Sequence, residues 1–468
     1  MQPVFMTNKY LFLLFIVLIY ACDGKDKAVT STYFAGEIVN PTSRQVILYK
    51  GEKAVDTAEL DTDNHFEIQL DSIKEGLYHF FHRPEMQYVY LTPGDSLQIR
   101  LNTVAFDESL VFSGEGEDIN NFLINLFLNA EKEETLIRES LIRLEPEVFS
   151  AKLDSLMDGK LAELDALREE SEISDDAYEM AHSSIQYKSW FYRESYPFWH
   201  KRVVGEDTLH KLPGDFYAYR DQVNYNDTHL TFLRPYYDFM IYHIGNLAYM
   251  GCRANCEEEI TSIKNQLHFN RHQLKLIDSL VPQEELRDNL FRTVAFEYLL
   301  KNDSEENFEV FMQDFHERSG NNRHLEEINQ LSDGIRRLRP NHPLPELIVY
   351  NEKDELFSLR DIPNDNREVV FYFWSGPEPR HLRNISNRVR ELKDKHGDYR
   401  FVGICLRTDK DRWKSLIATY GLDPENQYWA EDFETFAHTL VVYHPYKSII
   451  AKNGVIVDGF ANLNTSFK

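Results

Sequence analysis

The four cysteines of this chain are the residues best suited to covalent chemistry: Cys22, Cys252, Cys256 and Cys405. Disulfide exchange requires two thiols, because one attacks as a low-pKa thiolate and the other resolves the mixed disulfide. Cys252 and Cys256 are four residues apart, a spacing at which an unbroken helix holds the Cβ atoms too far apart for a disulfide. Gly251 favours a helix end there, so a disulfide, two inert thiols and a catalytic dithiol all stay open. Cys405 lies in a predicted buried strand, where a cysteine packs as a small apolar residue.

A strand that breaks into a helix lies where thiol chemistry would be expected, and it contains no thiol. The apolar run 369–374 predicts a buried strand, and the glycine and prolines after it predict a turn and a helix start. No cysteine stands between Trp374 and Asn384. A serine hydroxyl does not replace a thiolate, since it neither ionises near neutral pH nor undergoes redox chemistry. The residues of this turn are Trp374, Ser375, Gly376, Pro377, Glu378, Pro379 and Arg380.

Four segments in the same order resemble the thioredoxin-fold proteins of the TlpA/ResA type. The strand ending in Phe373-Trp374 is similar to the one that precedes Cys-x-x-Cys-Arg in that family. Residues 342–359 resemble the hairpin that opens the domain, and residues 399–413 resemble its second central strand and the following helix. In residues 444–457 a proline is followed by a strand and an Asn-Gly hairpin. The resemblance implies an α/β thioredoxin-like domain over residues 339–468 with a degenerate active-site loop at 374–380.

The same resemblance implies a binding groove that needs no sulfur. Proteins of this fold place a cis-proline beside the active-site loop and hold extended peptides there through backbone hydrogen bonds. His444 and Pro445 occupy that position, so we expect a cis His444–Pro445 bond close to the loop at 374–380.

The N-terminus predicts a targeting segment. Lys9 supplies positive charge, and residues 10–20 form an apolar run of signal-peptide length. Ala21-Cys22 then resembles a bacterial lipoprotein cleavage site, which implies a signal peptide at 1–22, lipid on Cys22 and a tether at 23–29. The expected location is the bacterial cell envelope, lipid-anchored and facing the periplasm or the surface. A plain secretory signal is the alternative.

Composition excludes some partners. The formal net charge is −26, so the surface repels phosphate backbones and we expect no nucleic-acid binding. At 468 residues with 42% hydrophobic content, the chain predicts several packed domains.

Two further domains are predicted before the thioredoxin-like one. Residues 30–115 contain short alternating strands and resemble the β-sandwich domain that precedes TlpA-like domains in Bacteroidetes-type envelope lipoproteins. Residues 116–338 carry apolar side chains at helical spacing and predict an α-helical domain. The fold class is therefore multidomain: an N-terminal β-sandwich, a central α-helical domain and a C-terminal α/β domain.

The helical region is rich in aromatic residues and histidines. The aromatic residues between 187 and 242 predict either an interhelical core or a groove for a ligand or a partner. The histidines are scattered; His268 and His272 share a helical face, but the sequence indicates no third ligand. We therefore predict neither a metal site nor a cofactor. The other histidines noted here are His200, His210 and His243.

Three functions follow from these patterns. The first is a redox-inactive envelope lipoprotein whose thioredoxin-like domain binds an unidentified peptide or envelope protein and is not an enzyme. The second is a TlpA-type thiol-disulfide oxidoreductase that uses Cys405 or the pair Cys252 and Cys256. The third places binding in the helical domain, with the thioredoxin-like domain as a structural cap.

Overall fold

The computed structural model describes residues 31–255, 265–363 and 366–467, and over these the chain is mixed helical and sheet, as predicted. The predicted signal peptide at 1–22, the predicted tether at 23–29 and the residues Cys22 and Cys256 lie outside the described residues. The strands are β1 (Thr32–Val39), β2 (Gln45–Lys50), β3 (Lys53–Glu59), β4 (His65–Leu70), β5 (Gly76–His82), β6 (Glu85–Leu91), β7 (Ser96–Asn102), β8 (Val111–Gly114), β9 (Ile348–Tyr350), β10 (Leu356–Ser358), β11 (Glu368–Ser375), β12 (Tyr399–Leu406), β13 (Gln427–Trp429), β14 (Lys447–Lys452) and β15 (Val455–Asn462).

Helices fill most of the interval between the N-terminal and C-terminal strands. None of those in the described residues has both the length and the apolar content that crossing a bilayer requires. The helices are α1 (Phe106–Ser109), α2 (Glu117–Glu139), α3 (Pro146–Glu170), α4 (Asp175–Val204), α5 (Arg234–Asn255), α6 (Gln266–Leu280), α7 (Glu284–Leu299), α8 (Glu305–Ser319), α9 (Leu325–Arg337), α10 (Pro379–Lys395), α11 (Lys410–Tyr420) and α12 (Phe433–Thr439).

The first eight strands form two sheets that share one core. Their orders are β4-β1-β7-β8 and β3-β2-β5-β6. Side chains alternate between buried and exposed along β4 and β7, as expected where one face of a sheet is covered. Phe34 of β1 and Phe80 of β5 meet in the common core, with ring centroids 5.6 Å apart. This is a β-sandwich.

The chain divides into two compact units, Met1–His243 and Ile244–Lys468. The first contains the β-sandwich and helices α1–α4, and the second contains helices α6–α12 and the remaining strands. Because one unit can hold more than one domain, this division does not test the predicted boundaries at 30–115, 116–338 and 339–468, which stay predictions.

A seven-stranded sheet in the second unit has the order β10-β9-β13-β12-β11-β14-β15. β12 runs parallel to both β11 and β13, whereas β14 is antiparallel to β11 and to β15. A strand–helix–strand unit (β11, α10, β12) is thus followed by an antiparallel hairpin, which is the order that the resemblance implied. Apolar side chains of α10 and α11 pack with the sheet in one core.

The buried side-chain amide of Gln427 links β13 to β11 close to the point where β11 ends and the loop at 374–380 begins. Gln427 of β13 accepts a hydrogen bond from the indole Nε1 of Trp374 at 3.0 Å and donates one to the Tyr372 hydroxyl at 2.9 Å. All three side chains are about 1% exposed. A Cβ on Gly403 of β12 would lie 2.2 Å from the Gln427 Oε1 atom, so only glycine leaves room for the amide.

We predict that Gln427→Leu lowers the free energy of unfolding by about 2–5 kcal/mol, because it leaves the Trp374 N–H and the Tyr372 hydroxyl buried without a partner. Urea denaturation followed by circular dichroism measures this. Gln313→Leu makes the same change at an exposed position of α8, where a shift within about 0.5 kcal/mol is expected. Equal losses in the two variants would show that the buried amide has no special role.

Candidate functional site

The loop that the sequence predicted to be a degenerate active-site loop begins at the end of β11. Trp374 is buried, and the residues from Pro377 to Arg380 are exposed. The backbone N–H of Gly376 donates to Thr408 Oγ1 at 2.8 Å, and a Cβ on Gly376 would lie 2.8 Å from the Thr408 methyl carbon. Pro379 then occupies the first turn of α10, where its missing N–H costs no hydrogen bond. The loop is therefore the predicted strand–turn–helix, closely packed at Gly376.

The thiol nearest to this loop in the sheet cannot serve it. Cys405 of β12 pairs in register with Trp374 of β11, one strand away from the loop. Its side chain is 0% exposed and belongs to the core between sheet and helices. Burial raises the pKa of the Cys405 thiol to about 12, so the reactive thiolate is absent at neutral pH.

The predicted cis-proline is wrong. Among the described residues the cis peptide bond joins Arg83 to Pro84, and the bond between His444 and Pro445 is trans. The physical reason is the local turn: the Lys447 N–H donates to the His444 carbonyl at 3.0 Å, which places Pro445 second in a four-residue turn. A trans proline suits that position, whereas a cis proline is found at the third position of a turn.

The two loops are nevertheless neighbours. His381, in the first turn of α10, has its Nε2 atom 2.9 Å from the carbonyl oxygen of Pro445. Its ring also contacts Tyr446, with centroids 5.9 Å apart. The structure thus places His381, the residue directly after the loop at 374–380, against Pro445, although 64 positions separate the two in sequence.

Backbone groups of the expected peptide groove are already used within the chain. The Pro445 carbonyl accepts from His381, and the His444 carbonyl accepts from the Lys447 N–H. The Tyr446 N–H donates to His444 Nδ1 at 3.1 Å. A peptide pairing with the Tyr446 N–H would have to displace the bond to His444, and the two carbonyls keep only their second lone pair for a partner. The exposed side chains are therefore the larger part of what this region offers a partner.

Exposed side chains lie on both sides of the contact between His381 and Pro445, and together they are named here the loop face. It combines the exposed part of the degenerate loop with the exposed residues that precede β14. Its members are Pro377, Glu378, Pro379, Arg380, Tyr443, His444 and Pro445.

The first unit contains a buried ionic network that the sequence did not indicate. Glu194 is 0% exposed; its carboxylate accepts from Arg220 Nε at 2.9 Å and lies 2.7 Å from His243 Nδ1. Burial alone would raise the pKa of Glu194, but the hydrogen bonds with His243 and Arg220 bring it below its ordinary value. The Tyr225 hydroxyl lies 2.6 Å from His243 Nε2. Both ring nitrogens of His243 are therefore partnered, and the network links Glu194 of α4 to Arg220 and to His243 of α5 in the core.

A cavity of about 570 Å³ opens beside the aromatic residues of α4. Trp190, Phe216 and Tyr219 line it, together with the ion pair of Arg193 and Asp154. Ser189 Oγ is buried at its wall and has no hydrogen-bond partner in the described part of the chain. The aromatic cluster therefore forms both a core and a cavity wall, and the two alternatives from sequence are not exclusive.

A cysteine of α5 contacts a histidine of α6, and both residues were considered above as possible sites. Cys252 is buried, with its Sγ atom 3.1 Å from His272 Nδ1. Since Cys256 lies outside the described residues, the state of the Cys252 and Cys256 pair stays a prediction.

Comparison with known proteins reaches only part of the chain. No family model and no curated protein matches it. Among solved structures, it is similar to the thioredoxin domain of a thiol-disulfide oxidoreductase from Bacteroides vulgatus, at 16% identity over 28% of this chain and 94% of that one, with a TM-score of 0.24. A thiol-disulfide oxidoreductase from Bacteroides fragilis matches at 23% identity over 25% of this chain and 87% of that one, with a TM-score of 0.21.

A longer match is a thioredoxin-like protein from Bacteroides caccae. It is 14% identical over 55% of this chain and 95% of that one, with a TM-score of 0.31. TM-scores this low carry no argument, and the thioredoxin-like character of the second unit is seen in its strand order and in the strand–turn–helix that follows β11.

We predict that the purified full chain reduces insulin no faster than the uncatalysed background, because no thiolate can form at the loop. An active thioredoxin serves as the positive control. The variants Cys405→Ser and Cys252→Ser should leave the rate unchanged. Turnover that either serine variant abolishes would instead establish the oxidoreductase alternative.

Proposed function

We propose that this protein is a membrane-anchored cell-envelope lipoprotein whose thioredoxin-like domain performs no thiol-disulfide exchange and binds a peptide or an envelope protein. The observation that carries the proposal is the combination of an exposed loop without sulfur and a neighbouring thiol, Cys405, that burial keeps protonated.

The loop face is the surface that we assign to the partner. The interior below it is ordered by the Gln427 amide and by Gly376, so the loop is held in place although it carries no catalytic group. Its exposed prolines lower the entropy lost on binding, since they already restrict the backbone. Arg380 and Glu378 add charges of both signs that can select a partner.

A second candidate function is ligand binding by the helical part of the first unit. The cavity of about 570 Å³ favours it, because that volume suits a small molecule. The buried Ser189 hydroxyl, which lacks a partner in the described residues, could be satisfied by a ligand atom.

The anchoring part of the proposal predicts that Cys22→Ala moves the protein from the membrane fraction to the soluble fraction. Cys22 would otherwise carry several acyl chains, and more than one chain gives stable attachment. Fractionation with immunoblotting measures this, with Cys405→Ser as a control that should stay in the membrane fraction. Unchanged membrane association of Cys22→Ala would contradict lipid anchoring.

The binding part predicts position-dependent crosslinking in the native envelope. A photoreactive phenylalanine analogue placed at Arg380 or at His444 should capture the same partner. The matched control is Asp394, exposed near the far end of α10 and about 20 Å away along the helix. Identical adducts from all three positions, or none from Arg380 and His444, would contradict the loop face as the binding surface.

A further inference from the structure

Three residues that could bind a metal ion meet where α4 ends in the first unit. They are His200, Glu206 and His210, and their ligand atoms all lie within 4.8 Å of one another. His200 is 2% exposed, whereas the side chains of His210 and Glu206 are 27% and 30% exposed. The cluster is thus closed on the side of His200 and open to solvent on the side of the other two residues.

Each histidine has one ring nitrogen held by an acceptor outside the cluster. His200 Nδ1 donates to the Ile142 carbonyl at 2.7 Å, which leaves the lone pair of Nε2 available. His210 Nε2 lies 3.1 Å from Glu145 Oε2, while its Nδ1 lies 2.8 Å from Glu206 Oε1. Metal-binding histidines in proteins are held in this way, by a carbonyl or a carboxylate on the nitrogen that does not bind the metal.

The backbone fixes the third residue. Gly205 takes a left-handed conformation with φ of 81°, which ends α4 and turns the chain. The Glu206 N–H then donates to the Lys201 carbonyl at 3.0 Å, so the residue is held against the last turn of the helix. The helix end itself therefore positions Glu206, six residues after His200.

We propose that His200, Glu206 and His210 bind a divalent transition-metal ion. The chemistry of these ligands favours Zn²⁺. Two imidazole nitrogens and one carboxylate oxygen are a ligand set that zinc accepts, with a fourth position left for water. At Zn–N and Zn–O distances of about 2.0–2.1 Å, ligand atoms must come to roughly 3.3 Å from one another. The partly exposed side chains of Glu206 and His210 can move together to close that gap, while the buried His200 stays fixed.

The ion would attach a loop to the end of a helix. Residues 205–217 contain neither helix nor strand, and Phe216 at their end lines the cavity of about 570 Å³. Tyr196 links the two places, since its ring lies 5.0 Å from that of His200 and 5.6 Å from that of Phe216. A bound ion would therefore order one wall of the cavity.

The test is Zn²⁺ binding by the purified full chain after chelator treatment, measured by calorimetry and by competition with a chromophoric chelator. We expect one ion per chain, and Co²⁺ in its place should give the visible bands of a tetrahedral site. Glu206→Gln and His210→Ala should each weaken Zn²⁺ binding by more than about 100-fold. Glu145→Gln, which removes only the carboxylate behind His210, should weaken it by about 10–100-fold.

The controls make the same chemical changes at exposed positions of the first unit. His229→Ala and Glu172→Gln should leave Zn²⁺ affinity unchanged. His200 is not varied, because its removal would leave a hole in the core. Circular dichroism of each variant establishes that the fold is intact. If Glu206→Gln or His210→Ala binds Zn²⁺ with full affinity, the ion is bound elsewhere. If the natural chain binds no Zn²⁺, the cluster is only an ion pair. Either result overturns the proposal.

Discussion

The second unit depends on satisfying the polar atoms of two aromatic residues inside a dry core. Trp374 and Tyr372 bring large apolar surfaces to the sheet, but each also brings one polar atom that is costly to bury alone. The Gln427 amide is the group that meets both needs at once, because it accepts from one and donates to the other. Gly403 gives it room. The end of β11 is thereby fixed, and the loop after it starts from a defined position whatever residues the loop contains.

This arrangement separates the scaffold from the chemistry. The packing below the loop uses a sulfur atom only as an apolar group, in Cys405, so the strand, the turn and the helix start do not depend on a reactive thiol. Reactivity is more demanding than packing, since a thiolate needs exposure and a helix N-terminus or a positive charge to stabilise it. Cys405 satisfies the packing requirement in β12 and fails the chemical one. A thioredoxin-like strand order therefore does not by itself imply thioredoxin activity.

The sequence was informative where structure is set by local pattern. The apolar run ending at Trp374, with glycine and prolines after it, predicted a strand, a turn and a helix start that the structure contains. The alternation over residues 30–115 likewise predicted strands, because one covered face imposes a period of two. The prediction of a cis bond at Pro445 was wrong because a proline before a strand is compatible with more than one type of turn. The hydrogen bond from the Lys447 N–H to the His444 carbonyl selects the turn in which the proline is trans.

The sites that the sequence missed are those built from distant residues. Glu194 meets His243 across 49 positions, and no spacing in the chain indicates that contact. His200, Glu206 and His210 are closer, yet their separations of six and four residues match no single helical face, because a left-handed glycine interrupts the helix between them. Reading such a cluster from sequence requires knowing where α4 ends and which way the chain turns. At a helix end the helical periodicity stops, so the sequence spacing of metal ligands no longer indicates which side chains share a face. A search for such spacing therefore misses sites at helix ends.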